Sequence, residues 1–231
     1  AQNLLEGQRV VFAKPGAMLT DPESGHHEVL KVVRIRGIES AGMICSKREL
    51  GLGEDHTGIL VLDEGAPVGT PLSDYMRDVI IETEPTTNRP DWLSVLGVAH
   101  EVAAITKGEV CEPESNYLEH GPAIQDRVTI RVEAPDLSPR YTASLITGIK
   151  IGASPWWLQE RLLKAGQRSI NNIVDVTNYV MLEYGQPLHA FDYDLLEDNT
   201  LLVRRGRPGE TITTLDGELR ELTPEILVIA D

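Results

Sequence analysis

The segment 168–179 reads Arg-Ser-Ile-Asn-Asn-Ile-Val-Asp-Val-Thr-Asn-Tyr and is the densest group of polar side chains in the sequence. Residues that both donate and accept hydrogen bonds flank Ile and Val here, as in the lining of a pocket that orients a polar substrate. Arg168 could hold a carboxylate or phosphate through a forked contact. Thr177 and Asn178 could orient a water molecule or an amide.

A structural role for the same segment is the alternative. Asn172, Asp175 and Asn178 could instead satisfy backbone groups around the start of a helix. The apolar residues within 173–182 predict a buried segment, but their spacing does not decide between helix and strand. The residues alone leave open whether this cluster binds a ligand or organises the chain.

A second cluster lies at residues 185–192, which read Gly-Gln-Pro-Leu-His-Ala-Phe-Asp. Pro187 makes a rigid turn that would hold His189 in a fixed direction. A histidine can act as a base or as a hydrogen-bond partner near neutral pH. The alternative is a histidine that stacks beside Phe191 and pairs with Asp192 without a catalytic role.

Outside these clusters, short apolar stretches between Gly and Pro turns occupy residues 8–81 and predict a small barrel or sandwich. Ser46 and Glu49 have the spacing of a capping box. Residues 91–107 have helical spacing of apolar residues, which predicts a helix that Asp91 caps and Lys107 ends. The remaining predicted elements are a helix with Ser154 as its N-cap and Pro155 at its first position, strands at 128–132, 201–205 and 226–229, and a hairpin at Asp216-Gly217.

The composition is that of a globular protein: 231 residues, 41% of them hydrophobic and 25% charged. Two cysteines, Cys45 and Cys111, exclude a disulfide-rich scaffold and a cysteine-based zinc site. No apolar run approaches the ~20 residues of a membrane span. We expect no metal site, since the pair His26-His27 has no third ligand at metal spacing. The formal net charge of −15 argues against strong binding of a phosphate backbone by these residues alone.

Four motifs taken together resemble the β chains of bacterial phenylalanine–tRNA ligases. The resemblance covers nearly the entire chain, and it implies that the sequence is a piece of a longer chain, as an apolar run close to the last residue also suggests. The motifs are Arg-Gly-Ile-Glu-Ser through Gly-Leu-Gly at 36–53, Thr-Asn-Arg-Pro-Asp with the apolar run to 99 at 87–99, Asn-Asn-Ile-Val-Asp-Val-Thr-Asn-Tyr-Val-Met at 171–181, and Gln-Pro-Leu-His-Ala-Phe-Asp at 186–192.

The resemblance implies an α+β, multidomain fold. Residues 1–80 would form a partial OB-like β-barrel of the tRNA-binding type. Residues 81–124 would be a small α+β segment with a linker, and residues 125–231 the first part of an α+β editing domain of the B3/B4 type.

The resemblance also implies a function. The family attaches Phe to its tRNA with ATP, and its editing domain hydrolyses Tyr that is wrongly attached to this tRNA. The family's editing residues correspond to Arg168, Thr177 and His189, with Asn178 and Pro187 beside them. His189 and Thr177 would be the catalytic pair of the editing site. Arg168, Asn178 and Pro187 would bind the substrate, Arg168 by holding the tRNA 3′ end or polar groups of the substrate.

The expected partners are the phenylalanine tRNA and a catalytic α chain in an α2β2 assembly, in the cytoplasm, with neither membrane nor DNA involved. The parent enzyme would need ATP and magnesium, whereas no cofactor is expected within these residues. The piece alone would not charge tRNA and would be incomplete for editing. Two alternatives stay open: a non-catalytic tRNA-binding or scaffold module, and a stand-alone aminoacyl-tRNA deacylase.

Overall fold

The chain divides into two units in the computed structural model, which describes residues 2–21, 23–53, 55–214 and 216–231. Unit 1 comprises residues 1–84 and 154–168, and unit 2 comprises residues 85–153 and 169–231. Each unit is therefore built from two separate stretches of sequence. The domains predicted from the sequence have boundaries at other residues than these two units, and they stay predictions.

Among the described residues, eight short strands precede the first helix, and the remaining helices and strands follow later in the chain. The strands are β1 Arg9–Val10, β2 Phe12–Ala13, β3 Met18–Thr20, β4 His27–Val29, β5 Val33–Ile35, β6 Ile38–Ser40, β7 Met43–Ile44, β8 Val61–Leu62, β9 Thr129–Val132, β10 Thr200–Arg205, β11 Thr211–Thr213, β12 Leu219–Glu221 and β13 Leu227–Ala230. The α-helices are α1 Leu72–Tyr75, α2 Val95–Thr106, α3 Trp156–Lys164 and α4 Asn172–Tyr184, and 3-10 turns lie at Pro90–Leu93, Ile124–Asp126, Tyr193–Leu195 and Glu197–Asn199.

In unit 1 the strands pair two by two and antiparallel: β1 with β8, β2 with β7, β3 with β4 and β5 with β6. A barrel needs one continuous ladder that closes on itself. The strands here have two or three residues and form four separate pairs, so they do not make a continuous ladder. No closed barrel therefore forms in the described part of residues 1–80. The predicted OB-like barrel is not confirmed, and the structure shows a mixed α/β fold with small sheets.

The core of unit 1 joins its two stretches of sequence. Val11, Leu60 and Trp156 are buried together. Trp156 opens α3, which also buries Leu158 and Leu162. The helix begins after Pro155, and Ser154 is not its cap, contrary to the prediction, because Pro155 occupies the cap position with extended backbone angles.

The capping box predicted at residues 46–49 forms in unit 1. The Ser46 amide donates to Glu49 Oε2 over 2.5 Å, and the Glu49 amide donates to Ser46 Oγ over 3.3 Å. Residues 47–50 make turns here rather than a helix. The two reciprocal bonds therefore close a turn on their own.

Unit 2 contains a three-stranded sheet in the order β13-β10-β9. β10 runs parallel to β9 and antiparallel to β13, and it buries Leu201 and Val203. The strands predicted at 128–132, 201–205 and 226–229 are confirmed. The hairpin predicted at Asp216-Gly217 is confirmed as β11–β12, with Gly217 at a φ of 83° that favours glycine.

The helix predicted at residues 91–107 is confirmed as α2, but its cap is Ser94 and not Asp91. Ser94 Oγ accepts from the Gly97 amide over 3.0 Å. Asp91 instead pairs with Arg89, whose Nη2 lies 2.7 Å from Asp91 Oδ2. Lys107 ends the helix in the left-handed region, as predicted.

The undecided segment 173–182 is helical and forms most of α4. The helix ends at Gly185, whose φ is 76°. A Cβ on Gly185 would lie 3.3 Å from Ser94 Cβ, so the end of α4 approaches the start of α2 closely. No helix in the described ranges is long and apolar enough to cross a membrane.

The tight turn before α2 makes Gly97 hard to replace. A Cβ on Gly97 would lie 1.8 Å from the Asp91 carbonyl oxygen, which belongs to the backbone and cannot swing away. We expect Gly97→Ala to lower the free energy of unfolding by about 1–3 kcal/mol, as overpacking does in rigid sites. Urea denaturation of the purified chain measures this. Gly152→Ala, where an added Cβ meets nothing within 4 Å, is the control, and equal losses in both variants would contradict the prediction.

The Arg204–Glu210 pair makes unit 2 sensitive to acid. Arg204 is 8% exposed, and its Nη2 lies 2.6 Å from Glu210 Oε1. The hydrogen bond from Arg204, helped by the Arg207 amide, lowers the pKa of Glu210 from 4.5 to about 2. Because the pKa is lower in the folded state, the pair stabilises the fold above pH 4.5, and this stabilisation is lost as the pH falls toward about 2.

We therefore expect wild-type protein to be more stable than Glu210→Gln at pH 6, with the difference shrinking as the pH falls through about 2 and vanishing below it. Urea unfolding at a series of pH values measures the two curves. Glu225→Gln, which changes an exposed glutamate, should follow the wild-type curve. Parallel curves for wild type and Glu210→Gln would show that the pair does not titrate as described.

Candidate functional site

The first turn of α4 uses most of the polar groups in the 168–179 cluster. Asn171 is the N-cap, and its Oδ1 accepts from the amides of Ile173 and Val174, each over 3.0 Å. Asn171 was not among the residues predicted to cap this helix. An asparagine directly before an apolar run is a recognised capping signal, so the information was present.

Asn172 fixes a distant segment of unit 2 to this turn. Its Nδ2 donates to the Lys150 carbonyl over 2.9 Å, and its Oδ1 accepts from the Gly152 amide over 3.2 Å. The Asn172 amide donates to the Gly152 carbonyl over 2.9 Å. Three hydrogen bonds therefore tie residues 150–152 to the start of α4, and the structural interpretation is confirmed for Asn172.

Asp175 is fully buried, with no exposed surface. Its Oδ2 accepts from Ser169 Oγ over 2.6 Å, and its Oδ1 accepts from the Ile170 amide over 2.8 Å. The structural interpretation is confirmed here also, since the carboxyl group satisfies a backbone donor just before the helix.

Thr177 and Asn178 are adjacent residues of α4 in the turn that follows, and both are half-buried. Thr177 Oγ1 donates to the Val174 carbonyl over 2.7 Å, which leaves the hydroxyl oxygen able to accept. The Asn178 side chain makes no hydrogen bond to any described residue. The predicted structural role of Asn178 is therefore not seen, and its amide keeps its donors and its acceptor.

Pro187 and His189 lie in the loop that follows α4, and both are exposed. The His189 ring stacks on Phe191 with ring centres 6.2 Å apart and planes at 17°. Asp192 accepts from the Asp194 amide and caps a 3-10 turn, and in the described residues it does not pair with His189. The imidazole nitrogens of His189 likewise have no partner among the described residues, so they are available to a ligand.

The five predicted site residues are therefore distributed over both units. Thr177, Asn178, Pro187 and His189 belong to unit 2, on α4 and the loop after it. Arg168 is the last residue of unit 1, two residues after Gly166, and it is exposed. In the described residues no hydrogen bond joins Thr177 or Asn178 to His189. That these residues share one site stays a prediction.

Unit 1 has an open cleft of about 220 Å³, which no sequence motif indicated. Its polar groups contact one another: Lys47 Nζ bonds to Gln159 Oε1 and lies 5.3 Å from the ring centre of Trp156. Asn3 bonds to both the amide and the carbonyl of Ile59. These contacts occupy the side chains that a ligand would use.

The described residues include no group of three or more His, Cys, Asp or Glu side chains arranged to hold a metal ion. Burial raises the pKa of the Cys45 thiol, so this cysteine is a poor thiolate ligand. The predicted site residues on α4 and its loop include an imidazole at His189, an amide at Asn178 and a hydroxyl at Thr177.

Comparison with known proteins bears directly on these residues. Residues 137–231, which include α4 and the His189 loop, match the B3/4 domain family. Curated proteins named phenylalanine–tRNA ligase β subunit match all of the chain: 49% identical in Dehalococcoides mccartyi strain CBDB1, 50% in Moorella thermoacetica and 49% in Geobacter sulfurreducens. The chain spans only 28–29% of the length of these relatives.

The resemblance found in the four sequence motifs is therefore confirmed, and it extends over the whole chain. The chain is similar along its full length to one part of proteins named phenylalanine–tRNA ligase β subunit, and its residues 137–231 match the B3/4 domain family.

Proposed function

We propose that this chain is part of a phenylalanine–tRNA ligase β subunit and that unit 2 takes part in hydrolysing Tyr that is wrongly attached to the phenylalanine tRNA. The observation that carries the proposal is the full-length similarity to such β subunits at 49–50% identity. The free amide of Asn178 and the free imidazole of His189 support it, because a hydrolytic site needs polar groups that the fold has not used.

The reaction is the hydrolysis of an ester. A water oxygen attacks the carbonyl carbon of the aminoacyl group, the bond from that carbon to the ribose oxygen breaks, and the ribose oxygen takes up a proton. The products are free tyrosine and uncharged tRNA. His189 orients the water or the substrate and can accept the proton that the water loses. Thr177 acts with it, as an acceptor for the water or for the tyrosine ammonium group.

The remaining site residues have binding roles. The Asn178 amide can both donate to and accept from the aminoacyl group. Pro187 limits the backbone freedom of the loop two residues before His189. Arg168 keeps the role that the resemblance implies, which is to hold the tRNA 3′ end or polar groups of the substrate. This role of Arg168 rests on the resemblance alone.

Editing answers a physical limit on selection. Tyr differs from Phe by one hydroxyl, and a mostly apolar pocket rejects an isostere with an added hydroxyl by only about 100-fold. A second, hydrolytic site removes the product that passes the first selection. This is why we assign the polar residues of unit 2 to the removal of tyrosine rather than to the attachment of phenylalanine.

The parent enzyme would charge the phenylalanine tRNA with ATP and magnesium, in an α2β2 assembly with a catalytic α chain in the cytoplasm. We place that activity outside this chain, and we expect the chain alone to be inactive in charging. Editing by the chain alone is also expected to be incomplete.

The His189 assignment can be tested in the full-length β subunit assembled with its α chain. We expect His189→Ala to slow deacylation of Tyr-tRNA(Phe) by about 10²–10⁴-fold, the usual contribution of a general base, with unchanged charging of Phe. Release of labelled tyrosine from mischarged tRNA measures the rate. His120→Ala, which changes another exposed histidine, is the control. An undiminished rate in His189→Ala would rule out this assignment.

The alternative of a tRNA-binding module makes a different prediction for the chain alone. Because its formal net charge is −15, we expect the chain to bind tRNA no more tightly than non-specific contacts do, at about 10⁻⁴–10⁻⁶ M, with a shallow salt dependence. Filter binding at several salt concentrations measures this, with the full-length protein as comparison. Nanomolar affinity with a steep salt dependence would favour the binding module instead.

A further inference from the structure

Asp175 is the one fully buried carboxyl group among the described residues, and the proposed reaction does not use it. A buried carboxyl group is costly unless its oxygens are hydrogen-bonded. Here both oxygens are bonded, to the Ser169 hydroxyl at 2.6 Å and to the Ile170 amide at 2.8 Å. The group is thus compatible with burial, and both of these bonds reach residues outside the helix that carries it.

Helix capping does not explain this arrangement. Asn171 already accepts from the amides of Ile173 and Val174, which are the free donors at the start of α4. Asp175 instead holds the main chain that enters the helix. Replacing this carboxyl group by an apolar side chain would leave the Ile170 amide and the Ser169 hydroxyl without their acceptor, so the role of Asp175 is to hold these two groups.

The position of Asp175 along α4 points to its role. Asn178 follows by three residues, which places it about one turn further on and on nearly the same side of the helix. Thr177 follows by two. Together with the bonds from Asn172 to residues 150 and 152, the two bonds of Asp175 oppose rotation or sliding of the turn before these residues.

We propose that Asp175 is a positioning residue: by bonding to Ser169 and Ile170 it fixes the part of α4 that presents Thr177 and Asn178 to the aminoacyl ester. This inference rests on the proposed function. It assigns Asp175 no contact with the substrate. Loss of its bonds would let Thr177 and Asn178 move away from the geometry of the reaction, which slows the reaction more than it weakens binding.

The test is deacylation of Tyr-tRNA(Phe) by the full-length β subunit assembled with its α chain. Because a misplacement of about 1 Å can cost about 100-fold in rate, we expect Asp175→Ala to lower kcat by about 10–100-fold. KM should stay within about two-fold, because Asp175 does not contact the substrate and its loss does not change substrate binding in the ground state. Charging of Phe should not change. Asp126→Ala, an exposed aspartate of unit 2, is the control.

Asp175→Asn separates positioning from chemistry. The amide oxygen can still accept from the Ile170 amide, and its NH2 group can donate to Ser169 Oγ. We therefore expect Asp175→Asn to restore kcat to within about three-fold of wild type, as a geometric role requires. If Asp175→Asn is as slow as Asp175→Ala, the carboxyl group acts chemically and the proposal is wrong.

Ser169→Ala keeps the proposal testable if Asp175→Ala does not fold. It removes one of the two bonds and leaves the carboxyl group bonded to Ile170, so we expect kcat to fall by about three- to ten-fold with KM unchanged. An unchanged kcat in Ser169→Ala or in folded Asp175→Ala would overturn the proposal. If His189→Ala is inactive while Asp175→Ala is fully active, only the positioning role fails. If the wild-type enzyme does not deacylate Tyr-tRNA(Phe), the proposed function fails and this inference with it.

Discussion

The hydrogen bonds at the first turn of α4 are the constraint on which unit 2 depends. Backbone donors and acceptors that leave water need a partner. Residues 150–152 belong to no strand, and they find partners in the side chain and amide of Asn172. Residues 169–170 find theirs in Asp175. One helical turn thereby organises two irregular segments, and the other end of α4 lies against the start of α2.

The same turn reconciles the two interpretations of the polar cluster. Three side chains form hydrogen bonds within the fold: those of Asn171, Asn172 and Asp175. The amide of Asn178, in contrast, has no hydrogen-bond partner among the described residues. Structural and functional roles therefore follow each other along the helix rather than compete. A ligand would meet side chains whose backbone is already held in place, which reduces the entropy lost on binding.

Local signals explain most of what could be predicted from the sequence. The end of α2 at Lys107 and the β11–β12 hairpin depend on residues close together in the chain, and both were predicted from the sequence. The cap of α2 was misassigned because Asp91 and Ser94 are both good capping residues, and the pairing of Asp91 with Arg89 settled the choice. Non-local contacts decided the rest. The bond from Asn172 to Lys150 spans 22 residues, and strand signals alone did not reveal that the strands of unit 1 pair only two by two. The site residues came from motifs that resemble a family, and spacing alone would not have linked His189 to Thr177.

The interleaved order of the two units limits how the chain can be divided. The sequence passes from one unit to the other after residues 84, 153 and 168. Neither unit can therefore be excised as one continuous stretch of gene. A truncation at residue 153 would remove Trp156 from the core that it shares with Val11 and Leu60, and an excised piece beginning at residue 85 would carry α3 without that core. A recombinant or engineered variant must therefore keep the stretches of both units together. An insertion in unit 1 is best placed away from α3.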